Sequence, residues 1–470
     1  MLHPMRPFDR ISSEVTLLAL AALALGGCTS YTAKDIDASA SARALEQRTL
    51  SDAGLGRFLA AHHLGRKGEW DLDRLTLAAL YFSPDFSAAR AELAGAEGDA
   101  ATAGEWPNPS FAFTPAYNAD AAPGQTPWIL GYTLAIPVDL TGRIANHADA
   151  ALRRKDAARL RLAAAAWSAR ASVRQALAAL HAAETSAKLW SGLGPTIAAA
   201  RKALASQVAT GELSPAEAAR VRLTLDRAEL AQREAEQSRI LARSRLAETI
   251  GLPLTALERV SLSFRGLSAH GRPPRAGEAR LWAAQHRADV QAALADYAAT
   301  QADLRSEISR QYPDVTLSPG YELDQGEGKW SLGLGFTLPL FNRNGGAIAA
   351  AEARRAAAAA KFEALQLRVM AEVDRAAAAY AAAVADLASF SRMDADISVA
   401  TKLLTAQQAV GDLSPLESAR LLLEQADSLM AAQAARLRAE QSLASLEAAI
   451  QRPLGLLNTD IAQPNPSKQK

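Results

Sequence analysis

The strongest constraint in this 470-residue chain is that it is written twice. A repeat of this size sets architecture before any local propensity does. Thr210-Gly211-Glu212-Leu213-Ser214-Pro215-Ala216-Glu217 returns as Val410-Gly411-Asp412-Leu413-Ser414-Pro415-Leu416-Glu417, and Ile250 to Leu254 returns as Ile450 to Leu454. Phe111 to Tyr117 answers Val315 to Tyr321, and Trp128 to Pro137 answers Trp330 to Pro339. Two related halves follow, residues 71–267 and 278–457. They are joined by a Gly, Pro and Arg-rich linker over 268–277, and a disordered tail is expected over 458–470.

Each half holds two segments that alternate with period two, the mark of strands whose faces meet different surroundings. They lie at about 110–138 and 315–340. One face carries Phe111, Phe113, Trp128, Leu130 and Tyr132 in the first half, and Trp330, Leu332, Leu334 and Phe336 in the second. The other carries Gly131, Thr133, Ser331, Gly333, Gly335 and Thr337. Each segment matches the 9–11 residues of a tilted membrane strand, and aromatics stand near the ends as a lipid–water boundary requires. A soluble sandwich is the alternative, but the chain offers no second sheet for it.

The rest reads as helix. A span from Gly345 to Ala409 would run about 100 Å at 1.5 Å per residue, far beyond the usual globular helix. Leu416, Leu423, Met430, Leu437 and Ala444 form a heptad on the return segment, with Ala419 and Ala426 between, so a coiled-coil hairpin is expected. The first half repeats the pair from about Gly142 to Ala209 and from Pro215 to Ile250, although Gly192, Gly194 and Pro195 predict a kink or break. Between the long helices, at about 210–215 and 410–415, Gly211 and Gly411 suit a left-handed end. Ser214 and Ser414 then cap the next helix, with Glu217 or Glu417 three residues on.

The N-terminus speaks of export. Val15 to Leu25 is an apolar run of signal-peptide length, and Leu25-Gly26-Gly27-Cys28 resembles a bacterial lipobox. Residues 1–27 are read as a signal peptide and 28–70 as a segment lipidated at Cys28, the single cysteine. Thr29 after it favours the outer membrane by resemblance to lipoprotein sorting. Basic and acidic residues number 51 and 50, which argues against a nucleic-acid partner. Much of the apolar content is alanine and mean hydropathy is −0.05, so a polytopic helical membrane protein is excluded.

Four membrane strands cannot close. Their two open edges would leave backbone groups unpaired in hydrocarbon at several kcal/mol each, so the chain must oligomerise. Two copies would give a barrel filled by its own side chains; three would give twelve strands and a solute-wide lumen.

With these parts in place the chain resembles the outer membrane efflux factors of the TolC type, over nearly all of its expected mature length. The carriers are the duplicated order of helix, hairpin, long helix, tip and return helix, and the tip from Gly411 to Arg420. The junction Leu338-Pro339-Leu340-Phe341-Asn342-Arg343-Asn344-Gly345-Gly346 is similar to that of the cobalt, zinc and cadmium branch. The resemblance implies a mainly α fold with a membrane β-barrel: duplicated coiled-coil hairpins forming a periplasmic α-barrel, and four strands per protomer in a trimeric twelve-stranded barrel. It implies a homotrimer, an exit duct for small molecules or metal ions, a periplasmic adaptor docked on the tips (Gly211, Glu212, Leu213, Gly411, Asp412, Leu413) and an inner-membrane RND transporter. It also implies a gate past the tip glycines, at Glu217 and Glu417. Arg420 departs from the family's second acidic position and Arg220 is its counterpart. The same two glutamates suit a capping box, and both roles stand.

No phosphate loop, nucleophile elbow or carboxylate pair sits in a credible context, and His62 and His63 are adjacent without ligand spacing. No enzymatic activity, cofactor or tightly held metal is expected. Two other functions remain: a channel for type I protein secretion, and an anchored coiled-coil scaffold without a pore.

Overall fold

The computed structural model describes residues 31–65, 68–267, 274–410 and 414–454. The signal segment, Cys28, the Gly411-Asp412-Leu413 apex, residues 268–273 of the linker and the 458–470 tail lie outside these residues. The chain divides into two units, Met1–Gln47 and Arg48–Lys470. In the first, α1 spans Ala38–Glu46, started by the Asp37 carboxylate, which accepts from the Ser39 and Ala40 amides.

The second unit begins with α2 (Ala53–Ala61), α3 (Leu72–Phe82) and α4 (Pro84–Thr102). The α2 helix ends before His62 and His63, which stand in the following turn rather than on a helix. Strands β1 (Ser110–Tyr117) and β2 (Trp128–Val138) follow, then α5 (Arg143–Ala209) and α6 (Pro215–Ile250). The second repeat gives α7 (Ala276–His286), α8 (Ala288–Ser309), β3 (Asp314–Asp324), β4 (Glu327–Thr337), α9 (Gly345–Val410) and α10 (Pro415–Ile450). The hairpins join into one antiparallel sheet in the order β1-β2-β3-β4.

Helix α5 is the spine of both repeats. Its middle buries Val173, Leu177 and Leu180 with Leu55, Leu75, Leu246 and Ile250, while α7, α9 and α10 close a second core on Val373, Tyr380 and Leu446. A third core lies toward the tips, where Trp190, Ile197 and Leu204 of α5 meet Leu225 of α6 and Ala419, Leu423 and Ala426 of α10. This core explains a departure from expectation: α5 is not broken at Gly192, Gly194 and Pro195 but runs unbroken through them. Proline costs a helix about 3 kcal/mol. Here buried anchors on both sides, Trp190 before and Ile197 and Leu204 after, hold the two arms on the neighbouring helices.

One charged pair is sealed inside. Arg174 Nη1 of α5 donates to Glu447 Oε2 of α10 at 2.5 Å, both side chains being 5% exposed. Glu447 Oε1 also accepts from the Leu454 amide at 2.8 Å.

The strand-to-helix corner is fixed by Asp139. Its carboxylate accepts from the amides of Thr141, Arg143 and Ile144, which serves donors that the start of α5 leaves unpaired, while Gly142 takes a left-handed φ of 70°. Asp139→Ala is expected to lower stability by about 1–2 kcal/mol, read as a lower urea midpoint with an unchanged slope.

Candidate membrane-spanning sheet and tip turns

The pairing register places the alternating residues on common faces. Phe111 lies opposite Leu134, Phe113 opposite Tyr132 and Tyr117 opposite Trp128. Tyr132 faces Tyr321 and Leu130 faces Leu323 across the seam between the repeats. Beyond that, Tyr321 pairs with Trp330, Leu317 with Leu334 and Val315 with Phe336. Residues directly opposite in an antiparallel sheet share a face, so one continuous apolar face crosses all four strands. The helical units leave most of it uncovered: Trp330 is 83% exposed and Leu334 61%, with Phe111, Phe113, Trp128, Leu332 and Phe336 also exposed. Tyr132, inside the face on β2, is 37% exposed, and Leu130 is half-buried. The opposite face is small and polar, with Thr114, Gly131, Thr133, Gly320, Ser331, Gly333 and Gly335 in register.

Tyr117 contacts Trp128 and Tyr321 contacts Trp330 toward the end of the sheet away from the helices, while Phe111 and Phe113 contact Tyr132 nearer its middle. At the other end Trp106, Leu140, Tyr312, Leu340 and Phe341 are exposed where strands meet helices. Leu340 and Phe341 fall in the junction quoted from the sequence, whereas Trp106, Leu140 and Tyr312 were not singled out there. The signal of these three was weak, since each lies just outside an alternating run. Between β3 and β4 the turn is Gln325-Gly326, with φ of 52° and 101°, the positive pair a two-residue hairpin requires. The outer edges of β1 and β4 pair with no strand among the described residues.

The first tip is a helix end of defined chemistry. The Gly211 amide donates to the Val208 carbonyl and the Glu212 amide to the Gln207 carbonyl, the double bond of a Schellman end. Gly211 has φ 76° and open space where a Cβ would stand, so its cost to other residues is conformational alone. Gly211→Val is expected to weaken this end by about 1–2 kcal/mol, read as roughly tenfold faster amide exchange at Gly211 and Glu212. Leu213 is partly buried on the third core.

Glu217 completes a capping box: its amide donates to Ser214 Oγ, and its carboxylate accepts from the Ser214 amide and hydroxyl. The Ser214 hydroxyl and then the Ser214 amide hold the Glu217 carboxyl below its usual range, so it is ionised at neutral pH. Glu417 forms the same box with Ser414. Both glutamates are thus engaged at helix starts. Arg220 is exposed. Arg420 is exposed as well, its Nε reaching Glu424 at 3.4 Å. Among the described residues no group of three or more His, Cys, Asp or Glu could hold a metal ion, and no helix is long and apolar enough to cross a membrane.

Comparison with known proteins supplies the remaining constraint. The sequence profile of the family described as outer membrane efflux protein matches residues 76–252 and 282–456, one match to each repeat. The cobalt-zinc-cadmium resistance protein CzcC of Cupriavidus metallidurans is 29% identical over 213 residues, 45% of this chain and 50% of that protein. The chain thus spans about half the length of this curated relative. The open-state outer membrane channel MtrE of Neisseria gonorrhoeae shares the fold at a TM-score of 0.64 and 19% identity, covering 82% of this chain and 89% of MtrE. The outer membrane protein VceC of Vibrio cholerae does so at 0.61 and 20%, covering 82% and 96%.

Proposed function

Because the chain belongs to the outer membrane efflux protein family, whose members are channels and not enzymes, we propose that three copies join their sheets into a twelve-stranded pore in the outer membrane. The pore continues toward the periplasm through the long helices. The observation that carries this reading is the four-stranded sheet with one continuous exposed apolar face, a small polar face and two unpaired edges. Such a sheet satisfies its backbone in lipid only when edges meet edges, and the small inner residues favour an open lumen over a filled one.

The repeat specifies how the edges meet. Since β3 answers β1 and β4 answers β2, the β2–β3 seam inside the chain is a template for β4 against β1 of the next copy. Carried over residue by residue, it sets Leu334 opposite Tyr117 and Leu338 opposite Phe113, apolar face to apolar face.

The apex residues Gly211, Glu212, Leu213, Gly411, Asp412 and Leu413 dock a periplasmic adaptor, which links the duct to an inner-membrane RND transporter. Glu217, Arg220, Glu417 and Arg420 lie next to that end and form the charged ring that opens or closes it. Cys28 carries the lipid anchor. The cargo is a heavy-metal ion, supported by the Leu338 to Gly346 junction and by the likeness to a cobalt-zinc-cadmium resistance protein. Ions pass without a tight protein site, moving through the lumen from the transporter.

Purified protein in a planar bilayer should give discrete single-channel steps and a mass of three chains in detergent. A non-conducting single chain in detergent would remove the channel reading and leave the scaffold. Loss of the gene should sensitise cells to cobalt, zinc or cadmium; unchanged metal tolerance with loss of a secreted protein would move the cargo to type I secretion.

A further inference from the structure

The two repeats do not end up with the same neighbours, and the difference locates a surface. Helix α5 packs on α4 of its own repeat and on α8 of the other; α9 packs on α8, and among the described residues no helix takes on α9 the position that α8 takes on α5. The repeat assigns equivalent positions without ambiguity where both copies are buried. Phe86 answers Val290 in the first turns of α4 and α8, and Ala151, Val173 and Leu180 of α5 answer Ala351, Val373 and Tyr380 of α9.

On the occupied side, two ion pairs set the register of α8 on α5. Arg154 bonds Asp303 at 2.5 Å, and Arg161 pairs with Asp296. Ala157 between them and Ala150 one turn before Arg154 are 0% exposed, and Ala299 of α8 is buried. On the unoccupied side the same pattern recurs on separate surfaces. Arg354 and Lys361 of α9 stand where Arg154 and Arg161 stand, and Ala350 and Ala357 are exposed where Ala150 and Ala157 are sealed. Helix α4 offers the complement. Glu92 and Asp99 answer Asp296 and Asp303, and Gly95 between them, answering Ala299, has nothing within 4 Å of a Cβ position. Phe86 is the one buried residue of α4. The return helices agree: Leu423 of α10 is 9% exposed against α5, while its counterpart Leu223 of α6 is 52% exposed.

We propose that α4 of one copy packs on α9 of the next in the register that α8 takes on α5, pairing Asp99 with Arg354 and Glu92 with Lys361 across the boundary. The occupant is a second copy of this chain, because its α4 carries the acidic spacing and bare small residue that this face of α9 matches. The interface lies below the β4–β1 edge just described and joins the same two copies. It therefore rests on the oligomeric reading of the sheet but is carried by different residues. The charges set register more than affinity, since exposed pairs of this kind add little binding energy. The third bridge inside the chain, Arg305 to Asp149, has no copy, because Ala101 and Ala349 occupy those places.

A cysteine pair tests the register. In a Cys28→Ser background, Asp99→Cys with Arg354→Cys should form covalent dimers and trimers with a short bismaleimide. The yield should be at least tenfold above that of Asp99→Cys with Arg368→Cys, displaced by about 21 Å along α9. All three positions are exposed, so the fold of one chain should survive, checked by its urea midpoint. If the detergent mass is three chains but the displaced pair links as well or better, or neither links, the register is overturned while the pore reading stands. If the mass is one chain, the pore reading falls and takes this interface with it.

Discussion

Arginine in place of Leu334 is expected to remove folded protein from the outer membrane, whereas arginine in place of Thr114 is expected to leave it there. Leu334 sits in the middle of β4 opposite Leu317, on the apolar face, and is 61% exposed. A charged side chain facing lipid near the midplane costs about 2–4 kcal/mol. In the three-copy barrel proposed above, the penalty is paid three times per assembly, enough to move the balance from inserted to degraded. Thr114 lies in β1 opposite Gly131, on the small polar face that the pore reading directs to water. The same charge there meets no hydrocarbon. The measurement is the amount of heat-modifiable oligomer in outer-membrane fractions, at least tenfold lower for Leu334→Arg and within twofold of wild type for Thr114→Arg. Equal loss in both would mean the two faces do not differ in solvent, and the assignment of lipid and lumen would be wrong.

Glu447→Ala is expected to cost about 3–5 kcal/mol, the usual cost of stranding one partner of a buried pair. Glu447 is bonded by Arg174 at 2.5 Å and by the Leu454 amide at 2.8 Å. The Arg174 Nε and Nη2 atoms are buried without hydrogen-bond partners, so losing Glu447 removes the carboxylate bonded to an already under-satisfied buried charge. Against a typical total of about 5–15 kcal/mol the loss is large. Replacing both residues, as Arg174→Met with Glu447→Leu, should recover most or all of it, because an apolar pair needs no compensation. Equilibrium urea unfolding in detergent reads both variants. A double variant as unstable as Glu447→Ala would indicate that the packing of the side chains, not the unpaired charge, sets the cost.

The features legible in the sequence are those whose physics is local. Period-two alternation at Trp330 to Phe336 needs only neighbouring residues to be read, and those side chains are exposed on one face of the sheet. The Ser-Pro-x-Glu signature encodes a capping box within four positions, and both boxes are formed. The break allowed for at Pro195 does not occur, because the local rule is real but weaker than the distal core that spans it. Arg174 and Glu447 could not be matched in advance, being 273 residues apart with no pattern linking them. Trp106 and Tyr312 escaped notice because exposure at a strand end depends on what packs beside it.

By itself the sequence determined that a helix, hairpin, long helix, tip and return helix would occur twice, because repetition and periodicity are properties of the chain alone. Only the tertiary structure decided the register in which β2 meets β3 between the repeats, and that α5 gains two flanking helices where α9 gains one. Equal sequences must have unequal neighbours when a chain has ends, and the faces thereby left bare on α4, α9, β1 and β4 can be found only after every internal contact has been made.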